Sequence, residues 1–213
     1  MLRRVTTTGA AKGASGRRPN RRGSETRHNV LEAALQALAT GDPNAVSANY
    51  VAKQVGVTWG AVKYQFGDVD DFWAAVLGHL AERRGDLDFG TDRAAGLEDR
   101  VGQIVDLLWL GLDTPDVRAM DTLRRALPRE RDELERTFPK TAAELATWQA
   151  GWIASCQRAF ADLDVDPERV REMAAMIPGA MQGLTSERQL STYSDMDDAK
   201  RGLRNAIAAY LAG

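Results

Sequence analysis

Residues 46–66 constrain this chain more than any other stretch, because they read as two short helices joined by a tight corner. Ser47 suits the N-cap of the first, its hydroxyl placed to accept from exposed first-turn amides. Val51, Ala52 and Val55 then give one apolar face at helical spacing. Gly56 stands where a helix closes through a left-handed residue, which costs glycine little. Val57 can pin the corner to a core, and Thr58 can cap the second helix. Helix, glycine corner and capped helix in that order make a helix-turn-helix. On the second helix Val62 and Phe66 share one side, while Trp59, Gly60, Lys63 and Tyr64 gather on roughly the opposite one. A cation, a phenol, an indole and a glycine that admits close approach suit phosphates and base edges in a major groove. A solvated face that happens to hold two aromatics is the plain alternative.

The flanks extend the unit. Residues 27–40 read as a helix with Leu31, Ala34, Leu35 and Leu38 on one stripe, Ser24 as its N-cap and Gly41-Asp42-Pro43 as its end. After Gly67, Asp68 can cap a fourth helix carrying Phe72, Trp73, Val76, Leu77 and Leu80. Asp70 and Asp71 lie in its first turn, where the helix dipole favours negative charge.

With Val30-Leu31-Glu32-Ala33-Ala34, Val46-Ser47, Val51-Ala52, Val55-Gly56-Val57-Thr58, Gly60-Ala61-Val62, Phe66 and Ala74-Ala75-Val76-Leu77 in this order, the sequence resembles the N-terminal domain of TetR-family transcriptional regulators. The resemblance covers about fifty residues. It implies an all-α homodimer, usually a repressor. An N-terminal three-helix helix-turn-helix domain would bind DNA, and a variable C-terminal helical domain would bind an effector and dimerise. It carries DNA contact onto Ser47 and Asn49 in the first helix of the pair, and onto Thr58, Trp59, Gly60, Lys63, Tyr64 and Gln65 in the recognition helix. Three positions depart from the family pattern. Lys63 stands where tyrosine is usual, Gln65 where histidine is common, and Val69 replaces a lysine that grips a phosphate. Lys63 can supply the missing charge from nearby.

At 213 residues the chain has room for one or two domains and a sizeable core. No apolar run reaches the roughly 18 residues of a membrane span, and no secretory h-region opens the sequence. A lone cysteine, Cys156, allows no intramolecular disulfide, so a reducing cytoplasm is the expected compartment. The net charge of −2 hides an asymmetry. Residues 1–27 hold 8 of the 28 Lys/Arg but 1 of the 30 Asp/Glu, leaving 20 basic against 29 acidic groups in the remainder. Among Gly, Thr, Ser and Ala, these cations have little apolar company. Residues 1–23 are therefore expected to be a disordered basic arm, with Arg17, Arg18, Arg21 and Arg22 the best placed to lie along phosphates or enter a minor groove. An inert solubilising tail is the alternative. Residues 24–80 are then the DNA-binding domain and 81–213 the ligand-binding and dimerisation domain.

Beyond residue 80 the pattern stays helical. Residues 97–112 are apolar nearly all round and read as a central buried helix. Thr114-Pro115 starts another, with Val117, Met120 and Leu123 inward. Pro128 breaks that helix, and Pro139 breaks the charged segment beyond it. Residues 141–163 form a long helix with Leu145, Trp148, Trp152 and Cys156 on one stripe. Pro167 opens the next helix, which Pro178 should bend, and residues 196–211 form the last. Trp109, Met120, Trp148, Trp152 and Met176 can line an effector pocket, because aromatics and methionines make adaptable apolar walls, or can be ordinary core. An apolar or aromatic effector fits them better than a charged one. Small residues on the last two helices let neighbours approach closely. Ala180, Met181, Leu184, Leu203, Ile207 and Tyr210 are thus candidates for a dimer interface, or close the protomer's own core. By resemblance, these helices from two protomers form a four-helix bundle. A two-fold dimer would set its recognition helices roughly 34–36 Å apart, matching a palindromic operator in double-stranded DNA.

Catalysis finds no support. His28 and His79 have no Cys or carboxylate partner at a metal-ligand spacing, so neither a metal nor another cofactor is expected. Cys156 sits on an apolar stripe, and no glycine-rich phosphate loop is present. Three readings remain: a repressor released by a small effector, a DNA-binding dimer without such a switch, or a helical carrier whose recognition helix has lost its role.

Overall fold

The computed structural model describes residues 21–85, 89–90, 92–189 and 195–213, apart from the side chains of Arg21, Arg22, Pro43 and Gln189. Among these residues every regular element is helical. They are α1 (Arg21–Ala39), a 3₁₀ turn (Pro43–Val46), α2 (Ala48–Gln54), α3 (Trp59–Phe66), α4 (Val69–Arg84) and α5 (Leu97–Gly111). There follow α6 (Pro115–Ala126), α7 (Arg131–Thr137), α8 (Pro139–Phe160), α9 (Pro167–Gln189) and α10 (Met196–Ala212). No helix among the described residues is long and apolar enough to cross a membrane.

Two apolar clusters hold these helices. In the first, Val30, Leu31, Ala34, Leu35 and Leu38 of α1 meet Val51 and Ala52 of α2, Val62 and Phe66 of α3, and Phe72, Trp73, Val76, Leu77 and Leu80 of α4. Ala119 and Leu123 of α6, with Leu127 just after it, belong to the same cluster. The apolar packing therefore does not stop at residue 80. The second cluster joins Val101, Ile104 and Val105 of α5, Trp152, Cys156 and Phe160 of α8, Val170, Met173 and Ile177 of α9, and Ile207 and Leu211 of α10. Arg100 lies under this cluster at 1% exposure. It donates from its terminal nitrogens to the carbonyls of Ala159, Asp92 and Ala95 and pairs with Asp162, while its Nε is enclosed without a partner.

The turn chemistry fixes how α3 is carried. Gly56 has φ 73° at the corner after α2, and Thr58 accepts from the Ala61 amide at 3.2 Å to open α3. Gly67, at φ 105°, separates α3 from α4, where Asp68 and Asp71 form a reciprocal capping box. The two glycines differ in what surrounds them. A Cβ at Gly56 would meet nothing within 4 Å, whereas one at Gly67 would fall 2.3 Å from an Asp71 carboxylate oxygen. Gly56→Ala should therefore cost only backbone strain, about 1–2 kcal/mol. Gly67→Ala adds the loss of the cap and should cost about 2–4 kcal/mol. Urea unfolding of the two variants checks the order, and equal midpoints would contradict it.

Several sequence expectations need correction. Helix α1 begins at Arg21, so Ser24 lies inside it rather than at its N-cap, and residues 21–23 of the expected arm are helical. Ser47 does occupy the N-cap of α2, but its side chain makes no capping bond. Its own amide closes the preceding 3₁₀ turn on Asn44, and the hydroxyl is left at an exposed position. Helix α5 is buried on one face only, with Leu107 at 42% and Leu110 at 78% exposure. Val117 is likewise outward. A continuous apolar run says which residues tolerate burial, not how many faces find a partner. The charged stretch between Pro128 and Pro139 holds α7, a helix with no buried residue.

Candidate nucleic-acid interface

The recognition face is built by what anchors its reverse. Val62 at 1% and Phe66 at 9% exposure fix α3 to the first cluster, and Phe66 stacks edge-on against Phe72 with ring centroids 5.3 Å apart. From the opposite side emerge Gly60, Lys63 and Tyr64, all exposed, with Tyr64 at 93%. A phenol held that far out gains nothing from the protein's own core. Gly60 is equally uncommitted, since a Cβ there would meet only the Thr58 hydroxyl oxygen at 3.7 Å. Thr58, Ser47 and Asn49 are exposed as well, and Lys53 adds a cation at the end of α2.

Two of the expected contact residues turn partly away. Trp59 is half-buried, packs on the first cluster and meets Phe72 edge-to-face with centroids 6.2 Å apart. At the first position of α3 its large ring finds more apolar surface inward than outward. Gln65 is half-buried too, with Oε1 enclosed and without a hydrogen-bond partner. Its backbone carbonyl accepts from Arg27 at 3.2 Å. Arg27 also lies 4.2 Å from the centre of the Phe66 ring. This arginine, at the start of the first helix as read from the sequence, thus clamps the C-terminal end of α3 from α1.

Val69 is 39% exposed at the first turn of α4, beside Asp68 and Asp71. An isopropyl group among carboxylates offers no grip on a phosphate. Arg17 and Arg18 lie outside the described residues, as do the side chains of Arg21 and Arg22.

The five residues proposed from sequence to line one pocket are divided. Met120 and Trp148 pack on the first cluster, the latter beneath Arg84, whose guanidinium is 4.0 Å from the indole centre. Burial lowers the Arg84 pKa from its ordinary value. Trp152 is core in the second cluster and donates from Nε1 to the Ala174 carbonyl at 2.7 Å. Trp109 packs on that cluster's edge, and Met176 is 49% exposed on α9. Where Val101, Ile104, Val105, Cys156, Met173 and Ile177 meet, the void measures about 10 Å³. A second, open cleft of about 480 Å³ is polar, bordered by Asp92, Asp99, Gln103, Asp106 and Arg204. Burial pushes the Cys156 thiol up to about 12, which leaves it protonated and unreactive.

Of the six residues suggested for dimerisation, Met181 and Ile207 are buried within the protomer. Ala180, Leu184 and Leu203 are half-buried, and Tyr210 is 43% exposed with its hydroxyl on Glu172. The histidines, in contrast, do have carboxylate company. Glu32 Oε1 lies 2.7 Å from His79 Nε2, and His28 stands beside both. The i, i+4 spacing of His28 and Glu32 was a signal in the sequence, and only the 47 residues between Glu32 and His79 hid the third member.

No protein-family model matches the sequence, and no curated protein matches it. Solved structures do. A Rhodococcus sp. protein assigned to the TetR-family transcriptional regulators is 22% identical, aligns over 88% of this chain and 99% of its own, and gives a TM-score of 0.58. The multidrug binding protein EbrR, solved with imidazole, is 22% identical over 92% of this chain and 96% of its own, TM-score 0.59. NalD, the secondary repressor of the MexAB-OprM multidrug efflux pump in Pseudomonas aeruginosa, is 17% identical over 89% and 98%, TM-score 0.57. The chain has the fold of these regulators.

Proposed function

We propose that this chain is a TetR-type transcriptional regulator that binds a palindromic operator in double-stranded DNA as a homodimer, with α3 as its recognition helix. One observation carries the reading. The outer side of α3 holds Gly60, Lys63 and a 93% exposed Tyr64, none of which the chain uses for its own packing. Such a face costs stability nothing to keep and suits a groove lined with phosphates and base edges. Thr58, Ser47 and Asn49 flank it, and Arg27 fixes its angle. The fold shared with regulators such as NalD supports the same reading.

A twin subunit would dock on the outer side of α9, where Ala175, Met176, Gly179 and Gly183 are exposed, with Tyr210 nearby on α10. Met176 fits that role better than a pocket wall. A small apolar or aromatic effector that releases the operator is the finer part of the proposal. EbrR, described as a multidrug binding protein, supports it by analogy. The void of about 10 Å³ between α5, α8, α9 and α10 has room for about one water and none for an effector, which must first part these helices. That closed packing also favours a second reading, a DNA-binding dimer without a small-molecule switch.

Selection of bound fragments from a genomic DNA pool tests the first claim and supplies the operator. On that operator, Lys63→Ala and Tyr64→Ala should each lose about 1–3 kcal/mol of binding free energy, with unfolding unchanged. Wild-type affinity in both variants would remove α3 from the interface.

A further inference from the structure

We propose that His28, Glu32 and His79 form a binding site for a divalent transition-metal ion, zinc or a close relative, bridging α1 and α4. His28 and Glu32 are one turn apart on α1 and so present their side chains to the same side. Helix α4 brings His79 to meet them. One ligand atom from each residue lies within 4.8 Å of the other two. Two ligands of a tetrahedral ion at the usual bond lengths stand about 3.4 Å apart, so small side-chain rotations close the set. The His28 and His79 rings are edge to face with centroids 5.3 Å apart, close enough for both to reach one ion.

The surroundings of Glu32 and His79 suit a ligand set. If His79 ligates through Nε2, its proton sits on Nδ1, and the exposed Glu82 carboxylate, 4.0 Å from that nitrogen, needs only a small rotation to bond it. A carboxylate behind a ligating imidazole fixes its tautomer and orientation. Glu32 is held from behind as well, because Arg83 bonds Oε2 at 3.0 Å and reaches Oε1 at 3.3 Å, and is itself tied to Asp116 at 3.3 Å. The Glu32 side chain is 28% and the His79 side chain 11% exposed, while His28 is open to solvent. The ion therefore has a route in and a free coordination position for water. Two imidazoles and one carboxylate select zinc, nickel, cobalt or copper over magnesium or calcium. An occupied site would tie α4 to α1, both of which pack with α3 in the first cluster. Ion binding is read without DNA, so its failure would leave the DNA-binding proposal standing, and the reverse holds too.

The test uses the full, tag-free chain after removal of metal by a chelator. Equilibrium dialysis against zinc should give one ion per chain, and cobalt should give the absorption of a nitrogen-ligated ion. Zinc should raise the melting temperature of the wild type. His28→Ala, at an exposed position whose loss leaves the fold intact, should weaken binding at least about tenfold and abolish the thermal shift, and Glu32→Gln should act in the same direction. Absence of zinc and cobalt binding at micromolar concentration, or wild-type affinity in His28→Ala, would overturn the proposal. In either case the Glu32–His79 contact would be a plain interhelical hydrogen bond.

Discussion

Asp70→Ala should destabilise the chain by about 3–5 kcal/mol, more than any single change on its surface. The reason lies in how α8 begins. Phe138 stands at its N-cap and makes no side-chain capping bond, and Pro139 follows. The next two amides, of Lys140 and Thr141, donate instead to Asp70 on α4, at 2.9 and 2.8 Å. The Thr141 hydroxyl donates to the same carboxylate at 2.7 Å, and Thr141 is fully buried. One carboxylate, 8% exposed, therefore caps a helix that starts about seventy residues later, while also lying in the first turn of its own. Alanine would leave two amides without an acceptor, each costing about 1–3 kcal/mol where water cannot reach, and would leave the Thr141 hydroxyl only the Asp70 carbonyl at 3.3 Å. Asp70→Asn keeps one acceptor oxygen and should cost less than half as much. Urea unfolding of both variants measures the difference. A wild-type midpoint in Asp70→Ala would mean that water replaces the cap freely.

Asp70 also marks the limit of what the sequence discloses. Its place in the first turn of α4 was legible from Asp68 and the apolar spacing after it, and read locally it was a helix-start charge. Its bond to α8 was not legible, because nothing in the spacing of residues 68–80 points to residue 141. The same division runs through the candidate interface. Gly56, Thr58, Val62 and Phe66 could be assigned from periodicity and capping rules, since those act within a turn or two. The inward lean of Trp59 depends on Phe72, the clamp by Arg27 on the end of α3, and the His28–Glu32–His79 group on how α1 meets α4. Each is a meeting of separate helices. Helix α5 failed for a related reason, as Leu107 and Leu110 are compatible with a core yet face outward in a single protomer.

Removal of residues 1–20 should flatten the salt dependence of operator binding, by about 0.9 in the slope of log affinity against log salt for each phosphate the arm had neutralised. The cut belongs before Arg21, where α1 begins, so that the helix stays whole. The segment removed carries Arg3, Arg4, Lys12, Arg17 and Arg18 and no acidic residue. If all five met phosphates, the slope would fall by roughly 4.5, and each such pairing is worth about a threefold change in affinity between 50 and 200 mM salt. The expected effect is large because the rest of the protein offers so little. Lys53 and Lys63 are the only Lys or Arg residues between positions 28 and 80, and beyond residue 27 acidic groups outnumber basic ones by 29 to 20. A surface of that sign repels a polyanion except where cations are turned toward it. Electrostatic capture of DNA should then rest on the arm and selectivity on α3. The truncated chain would bind weakly and with little response to salt, yet keep its preference for the operator over unrelated DNA. An unchanged slope would show residues 1–20 to be idle, and a vanished preference at equal slope would move sequence reading from α3 to that segment.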